Sequence, residues 1–475
     1  SAARAAPQAR RAPRAPRARG LKPEGSVRRI APRCQAAAVP EPPATSPGLP
    51  TIDETLDYVK FVVPLAALVT VDKVLAAFLA AQGVTFPAPI IGMFGFFGAL
   101  LALEKTAPAV NNAIIDFFQP AVQWLTRWLP LFFVPSLVTL PLAVQSLSTA
   151  EVGKLLLILL PGWALSCAVT GAAVQTVRSF TRTSLLPYTP SPAPPPFSAG
   201  VRNTWVGVAL AGFALCAVSP LALGSVAMTA APPLIACTVL GYVVGTALPA
   251  AVKSVVHPVL TTALFGELGC ALYGMISGMH LTDALTIYKT GSLMINPGAG
   301  DIFMGFLGSV ILSFAFSMYS QRALMKRHWR EIFGSVGMSS VFSLFSTAAL
   351  GKLLGLGPAL TMAVVPRCIT VAIALPMADM LGVADPSLTA AAVVLTGLIG
   401  ANFGQKMLDM CKFDDPITRG IATAGSSHGL GTAAIAPKEP ETLPFCAIAQ
   451  ALTGIACSCL VAVPAVRIAL LAIAS

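Results

Sequence analysis

Charged side chains are scarce in this chain of 475 residues. Asp, Glu, Lys and Arg together make up 11% of it, whereas a soluble globular domain usually holds about 25%. Hydrophobic residues make up 55%, and the mean hydropathy is +0.77. This balance excludes an ordinary soluble domain and indicates a polytopic membrane protein. At about 20 residues per span, the length predicts an all-α fold with about 12 transmembrane helices.

Metal-ligating and redox patterns are also lacking. The chain has only four His, and its ten Cys form no C-x-x-C pair and show no ligand-like spacing with His. We therefore expect buried, inert thiols, no metal and no cofactor.

Acidic residues are almost absent from residues 1–40, which hold ten Lys or Arg against the single acid Glu24. This segment carries +9 of the net charge of +11 and leaves only +2 for the rest. The basic character is therefore local, which argues against nucleic-acid binding. An Arg-, Ala- and Pro-rich leader without an apolar run is typical of an organellar transit peptide. A basic tail that binds anionic lipid is the alternative.

Apolar spans follow the leader in two groups, on either side of a Pro- and Ser-rich stretch that is typical of an exposed linker. The predicted organisation is a transit peptide (1–40), a four-helix membrane module (41–177), the linker (178–203) and a larger transport module (204–475). The spans of the front module lie near 59–80, 87–104, 124–145 and 152–176. Those of the back module lie near 204–222, 232–251, 258–279, 302–319, 332–354, 358–381, 387–408 and 443–472.

Two charged residues, Asp72 and Lys73, stand side by side within the first span. Adjacent positions point about 100° apart on a helix, so we do not expect them to pair with each other. They mark either an internal face of the helix or a break in the span.

The most informative segment is Thr423–Ala433, TAGSSHGLGTA, which is Gly-rich and polar within an otherwise apolar region. Irregular backbone at membrane depth is tolerated only where it lines a cavity or is buried in protein, and an ionisable residue there suggests a functional site. A second Gly/Pro-interrupted segment, Asn296–Asp301, precedes another span. Such a pair favours an inverted-repeat transporter with a midplane site; two independent loops are the alternative.

Several motifs resemble the LrgA/LrgB (CidA/CidB) membrane family. FPAPIIGMFGFFGALLAL at 86–103 and LPLFFVPSLV at 129–138 are similar to LrgA. PRCITVAIAL at 366–375, LTAAAVVLTGLIGANFG at 388–404 and DPITRGIATAGSSHGLGTA at 415–433 are similar to LrgB. Bacteria usually encode the two as separate proteins.

A fused LrgA–LrgB chain behind a transit peptide resembles the plastid members of this family. The resemblance implies a carrier that exchanges glycolate and glycerate across the chloroplast inner envelope membrane and supports photorespiration. Its implied partners are these two small anions and the lipid bilayer, with no nucleic acid; proton coupling and a homo-oligomer are open possibilities. One position departs from the bacterial pattern, because Arg367 stands where bacterial LrgB commonly has Lys. The positive charge is kept, and Arg adds a planar, bidentate donor for a carboxylate.

The implied substrates need positive potential, carboxylate donors and a polar contact for the hydroxyl. A buried guanidinium is costly unless it is paired, so Arg367 is either a substrate contact or the partner of Asp301 or Glu267. His428 offers a donor or a titrating proton, or is a neutral, structurally bonded residue. Asn402 could bond the substrate hydroxyl or tie helices together. The predicted substrate-binding residues are Arg367, Thr370, Asn402, Ser426, Ser427, His428, Gly429, Thr432 and Asn296. The candidates for proton coupling are His428, Glu267 and Asp301.

Three classes of function are compatible with these features. A secondary carrier accounts together for the leader, the interrupted segments, Arg367 and His428. A holin-like pore or regulator of lytic activity, for which the bacterial relatives are named, needs no carboxylate-sized polar site. An intramembrane enzyme is disfavoured, because Ser427 and His428 would point about 100° apart on a helix and no G-x-S-x-G or H-E-x-x-H motif accompanies them. The sequence therefore favours the carrier.

Overall fold

The structure is a computed structural model that describes residues 52–84, 86–145, 147–181, 183–184, 196–253, 256–384, 386–435 and 438–475. The predicted transit peptide (1–40) and much of the linker lie outside these residues. Every regular element in the described ranges is a helix, which confirms the predicted all-α class.

Six helices precede the linker. They are α1 (Ile52–Ala81), α2 (Ala88–Thr106), α3 (Pro108–Phe133), α4 (Pro135–Val138), α5 (Leu140–Val144) and α6 (Thr149–Thr181). Proline opens two of them, and the same choice recurs later in the chain. The first turn of a helix does not need the N–H that proline lacks.

Fifteen helices follow the linker, the first nine of them before the predicted span at 358–381. They are α7 (Ala199–Val218), α8 (Val226–Ala247), α9 (Ala250–Lys253), α10 (Pro258–Ser277), α11 (Leu281–Tyr288), α12 (Ala299–Met304), α13 (Leu307–Ser320), α14 (Arg322–Arg327), α15 (Trp329–Leu353), α16 (Pro358–Val364), α17 (Val371–Met380), α18 (Pro386–Met410), α19 (Pro416–Ile435), α20 (Leu443–Ala462) and α21 (Pro464–Ala474). Short 3₁₀ turns cover Val365–Cys368 and Pro440–Thr442.

Eleven helical stretches in the described part of the chain are long and apolar enough to cross a membrane. The predicted number was about 12, and the difference is the stretch at 358–381. The sequence suggests one continuous span there, but α16 ends at Val364 and α17 begins only at Val371. Between them the backbone forms a 3₁₀ turn and then becomes extended at Ile369 and Thr370.

The segment 416–435 is a re-entrant hairpin, which we call hairpin 2. His428 interrupts α19 with non-helical angles, φ 42° and ψ −140°. Arg419 near its start and Glu439 beyond its end form two hydrogen bonds of 2.6 and 2.5 Å. A straight helix of 20 residues would hold them about 30 Å apart. The chain therefore enters the membrane region, turns at His428 and returns to the side from which it entered.

The segment 358–380, hairpin 1, turns back in the same way but from the opposite side. Leu356 before it and Leu388 after it belong to one hydrophobic cluster with Leu155 and Leu159 of α6. In addition, Thr389 Oγ1 of α18 donates to the Ala363 carbonyl at the inner end of α16, at 2.7 Å. Entrance and exit are therefore adjacent, and the 3₁₀ turn forms the tip.

Helix α6 runs alongside both hairpins and defines the two sides. Near its start, Lys154 Nζ donates to the Gly355 carbonyl, just before hairpin 1, at 2.7 Å. Near its end, Arg178 Nε lies 3.1 Å from Asp415 Oδ1, just before hairpin 2. The hairpins thus enter from opposite ends of α6, and their tips meet near its middle.

A long helix followed by a hairpin occurs twice in the chain, and the two copies run in opposite directions across the membrane. Helix α15 leads into hairpin 1, and α18 leads into hairpin 2. This arrangement agrees with the idea of an inverted repeat, but the pairing of segments differs from the prediction. The partner of 423–433 is the turn at 365–370, whereas Asn296–Asp301 covers the end of the loop after α11 and the first turn of α12.

Helices from before the linker pack against helices from after it. Helix α6 of the front module packs against α15, α18 and α19, and α13 of the back module packs against α1, α2 and α3. Helix α8 packs between α7 and α10. The two sequence modules are therefore interleaved in space.

The charged pair in α1 lies on an internal face. Asp72 is buried and lies against Gly308 of α13. Of the two alternatives, an internal helix face and a break in the span, the first is therefore correct. The expectation that the neighbours cannot pair was wrong, since Lys73 Nζ lies 3.0 Å from Asp72 Oδ2. The long, flexible lysine side chain reaches the neighbouring carboxylate despite the angular separation of the two positions.

Candidate functional site

Arg367 lies at the tip of hairpin 1 and is completely buried, with 0% of its surface exposed. Its Nε donates to Thr347 Oγ1 of α15 at 3.0 Å, and its Nη2 donates to Ser166 Oγ of α6 at 3.2 Å. Its third nitrogen, Nη1, is buried without a hydrogen-bond partner. The guanidinium is held only by neutral hydroxyls, and its Nη1 is left free to donate to an anion.

The acidic partners considered for Arg367 are engaged elsewhere or lack contact with it. The Asp301 carboxylate accepts hydrogen bonds from the backbone N–H groups of Thr290, Gly291 and Gly298 and from the Thr290 hydroxyl, at 2.8–3.0 Å. It therefore fixes the loop before α12. Glu267 is half-buried in the middle of α10, and no ion pair joins it to Arg367 among the described residues. The structure therefore does not support the alternative in which Arg367 pairs with Asp301 or Glu267.

His428 forms the tip of hairpin 2. Its positive φ is unusual for a residue with a side chain and marks local strain. The ring is 3% exposed, and its Nε2 lies 2.9 Å from the Val393 carbonyl of α18. A carbonyl only accepts, so Nε2 carries a hydrogen and donates it. Gly397 makes room for this ring, because a Cβ there would lie 2.6 Å from its Cε1.

The hydroxyl groups of hairpin 2 form a short chain beside this tip. Ser427 Oγ accepts a 2.8 Å hydrogen bond from the Trp163 indole of α6 and lies 3.1 Å from Ser426 Oγ. Ser426 in turn donates to the Ala422 carbonyl at 2.7 Å. Past the tip, Thr432 Oγ1 donates to the His428 carbonyl at 3.0 Å. Ser427 and His428 do not form a nucleophile–base pair, because each bonds a different partner.

Two further predicted residues, Gly429 and Thr370, lie next to the tips of the hairpins. Gly429 follows the tip and lies against the Gln450 side chain of α20, which a Cβ would approach to 3.1 Å. Thr370 is 5% exposed and immediately precedes α17, whose N-terminus its side chain does not cap. The first N–H groups of α17 therefore point towards the tip of hairpin 1, where they favour negative charge.

The structure does not bring two other predicted residues to the tips. Asn402 is exposed on α18, and its amide donates to the Leu398 carbonyl of the same helix at 2.8 Å. Asn296 lies exposed in the loop before α12, with a φ of 51°. Both predictions relied on a polar residue standing near glycines in the sequence, which does not determine the side it faces.

Three residues at the tips were not among the predictions. Thr347 and Ser166 hold the Arg367 guanidinium, and Trp163 holds Ser427. A pattern could have indicated the first, because buried hydroxyls occur at every fourth position along α15, at Ser335, Ser339, Ser343 and Thr347. The other two lie in the front module, where no polar interruption marks them.

The described residues contain no group of three or more His, Cys, Asp or Glu side chains that could hold a metal ion. The described cysteines are all free. The chemistry available at the tips is therefore that of a cation, hydroxyls, an imidazole and helix termini, which suits the binding of a small anion.

Comparison with known proteins identifies the same two parts as the motifs do. The LrgA family model matches residues 73–174, and the LrgB-like family model matches residues 238–466. No solved structure matches the chain. One curated relative, the plastidal glycolate/glycerate translocator 1 (chloroplastic) of Arabidopsis thaliana, is 49% identical over 411 residues, which cover 86% of this chain and 80% of the relative. With that identity over most of both lengths, the chain belongs to the fused LrgA–LrgB family of membrane proteins.

Proposed function

We propose that this protein is a secondary carrier that exchanges glycolate for glycerate across the chloroplast inner envelope, in support of photorespiration. The name of the Arabidopsis relative and its identity to this chain support the substrate and the location. The observation that carries the proposal is the buried Arg367 guanidinium, whose Nη1 has no partner. A carboxylate of a small 2-hydroxy acid would supply the missing negative charge.

The substrate would bind where the two tips approach α6. Its carboxylate would accept a hydrogen bond from Arg367 Nη1 and lie close to the positive end of α17. The neighbouring hydroxyl groups of Ser426, Ser427 and Thr370 would offer partners for the substrate hydroxyl. Glycolate and glycerate share this carboxylate with an adjacent hydroxyl, so one site could serve both.

Exchange would follow from the opposite entry of the hairpins. A substrate at the tips would be covered from one side by hairpin 1 and from the other by hairpin 2. Displacing either hairpin would open the site to one compartment, as in carriers that alternate around a midplane site between broken helices. Such a site, unlike an open pore, couples the outward passage of one anion to the inward passage of another.

Counterflow into liposomes tests the proposal directly. Purified protein is reconstituted, the vesicles are loaded with glycerate, and uptake of labelled glycolate is followed. We expect uptake well above that of vesicles loaded with chloride alone. A holin-like pore would instead release a neutral dye regardless of loading, and that result would overturn the carrier proposal.

The proposed location has a separate test. Residues 1–40 should direct a fused reporter into isolated chloroplasts, because they carry +9 and no apolar span. A chain that begins at residue 41 should lose import yet keep exchange in liposomes. Loss of exchange in a folded truncation would make the leader part of the carrier.

A further inference from the structure

Helix α6 comes from the half of the chain that resembles LrgA, yet it contacts the tips of both hairpins. Ser166 Oγ accepts from Arg367 Nη2 at 3.2 Å and lies 3.8 Å from Cys368 Sγ. One turn earlier, Gly162 leaves space for the guanidinium, because a Cβ there would lie 2.9 Å from Nη2. The guanidinium therefore rests directly on α6.

Hairpin 2 meets the same stretch of α6 through Trp163. This indole is 3% exposed, and its Nε1 donates to Ser427 Oγ at 2.8 Å. Helix α18 allows the approach, since a Cβ on Gly400 would lie 3.0 Å from that nitrogen. A buried indole N–H usually has a partner, and here that partner is the residue next to the tip.

The polar face of α6 continues one turn beyond Ser166. Thr170 Oγ1 is buried without a hydrogen-bond partner, and a Cβ on Gly425 of hairpin 2 would lie 3.6 Å from it. Positions 162, 166 and 170 recur every four residues and so share one side of the helix. This side therefore presents an unpaired hydroxyl to hairpin 2, three residues before its tip.

We infer that this face of α6 forms a wall of the substrate site, so that the LrgA half is required for substrate binding. The inference rests on the proposed function. Ser166 acts as a positioning residue: it holds Nη2 and thereby directs the unpaired Nη1 towards the carboxylate. Trp163 does the same for Ser427 at the other tip. Neither half of the fused chain contains the complete site.

Substitutions in the full-length protein test this role by glycolate–glycerate exchange. Ser166→Ala removes one oxygen and should raise the KM for glycolate roughly tenfold, in line with the loss of a hydrogen bond to a charged group. Trp163→Phe should have a similar effect through Ser427. The matched control is Thr176→Ala, which removes an exposed hydroxyl of the same helix that bonds only the Ala172 carbonyl.

A double-mutant cycle separates positioning from a purely structural role. Arg367→Lys keeps the charge but removes the guanidinium that Ser166 holds, so adding Ser166→Ala should then change KM less than twofold. Equal and additive losses in both backgrounds would overturn the inference, as would a Ser166→Ala protein that matches Thr176→Ala. If the wild type itself fails to exchange, the proposed function fails instead, and the two failures are therefore distinguishable.

Discussion

Hairpins 1 and 2 enter from opposite sides and meet at α6, but their tips differ in what they expose. The tip of hairpin 1 has an ordinary backbone, a 3₁₀ turn followed by extended residues, and carries a buried charge without an acidic partner. The tip of hairpin 2 has a strained backbone at His428, and its side chain is bonded to a carbonyl of α18. The tip of hairpin 1 therefore attracts an anion through its charge, whereas the tip of hairpin 2 contributes through its fixed backbone conformation.

This difference predicts which changes affect binding and which affect the fold of the site. A change at the first tip should remove affinity for the anion and leave the hairpins in place. A change at the second tip should alter the position of a whole segment, because Gly397 and Gly400 of α18 are fitted closely against His428 and Ser427.

The largest effect is expected from Arg367→Ala. Without the guanidinium, the substrate carboxylate loses its paired donor in a buried site, which costs several kcal/mol, or at least about 100-fold in KM. Arg367→Lys should keep part of the activity because the positive charge remains. Arg330→Ala, which removes an exposed cation at the start of α15, is the control. A normal KM for glycolate in a folded Arg367→Ala protein would exclude the assigned role.

The next largest effect should come from Gly397→Ala. The new Cβ would lie 2.6 and 2.7 Å from two atoms of the His428 ring, so the tip of hairpin 2 must move. We expect a loss of roughly tenfold or more in exchange rate and a lower unfolding temperature in detergent. Gly404→Ala on the same helix meets nothing within 4 Å and should be neutral. Equal behaviour of the two variants would mean that the tip tolerates displacement.

A smaller effect should follow from Glu439→Gln, which weakens the hydrogen-bonded ion pair with Arg419 that joins the two ends of hairpin 2. Burial raises the pKa of Glu439, but the hydrogen bonds from Arg419 and Gln405 outweigh it and hold the pKa below the ordinary 4.5. A lowered carboxyl pKa stabilises the fold above the unfolded pKa, and this stability is lost as pH falls through the folded pKa.

At pH 7 the Gln variant should therefore unfold a few degrees below the wild type, whereas the two should converge below about pH 4. The control is Glu441→Gln, which removes an exposed acid two residues away. A constant difference between Glu439→Gln and wild type at all pH values would show that the charge of Glu439 is not responsible.

The smallest expected change is in the pH profile of His428→Gln. Nε2 donates to Val393 in either protonation state, which leaves Nδ1 as the titrating atom. A proton there would add positive charge near the substrate carboxylate, so binding should tighten as pH falls. Glutamine can keep the donor but cannot titrate, so the rise in affinity towards acidic pH should be lost. An unchanged profile would assign His428 a structural role.

The sequence predicted hairpin 2 better than hairpin 1 for a physical reason. A helix that breaks at membrane depth with glycines and a polar side chain leaves a compositional mark, which singled out 423–433. Hairpin 1 breaks without a glycine, at Pro366 and two extended residues, and its residues remain apolar on average. Hydropathy alone therefore suggested a continuous span at 358–381, although the importance of Arg367 was recognised from its burial and charge.

The contacts of α6 could not be predicted because they join residues far apart in the chain. Helix length and apolarity place α6 in the membrane, but neither selects its neighbours. The Ser166 and Thr170 hydroxyls on its buried face are indistinguishable in sequence from the small residues that membrane helices use for close packing. Only the structure shows that Ser166 and Trp163 face the tips.

The separation of these partners along the chain has a consequence for assembly. Ser166 and Arg367 are 201 residues apart, and Trp163 and Ser427 are 264 apart. During N-to-C insertion, the polar face of α6 remains unpaired in the bilayer until both hairpins have been inserted. The hairpins in turn need α6, because interrupted backbone at membrane depth must be buried in protein. The contacts of α6 can therefore be completed only after hairpin 2 has been inserted, and an arrest between α6 and α18 would leave a polar helix face exposed to membrane quality control.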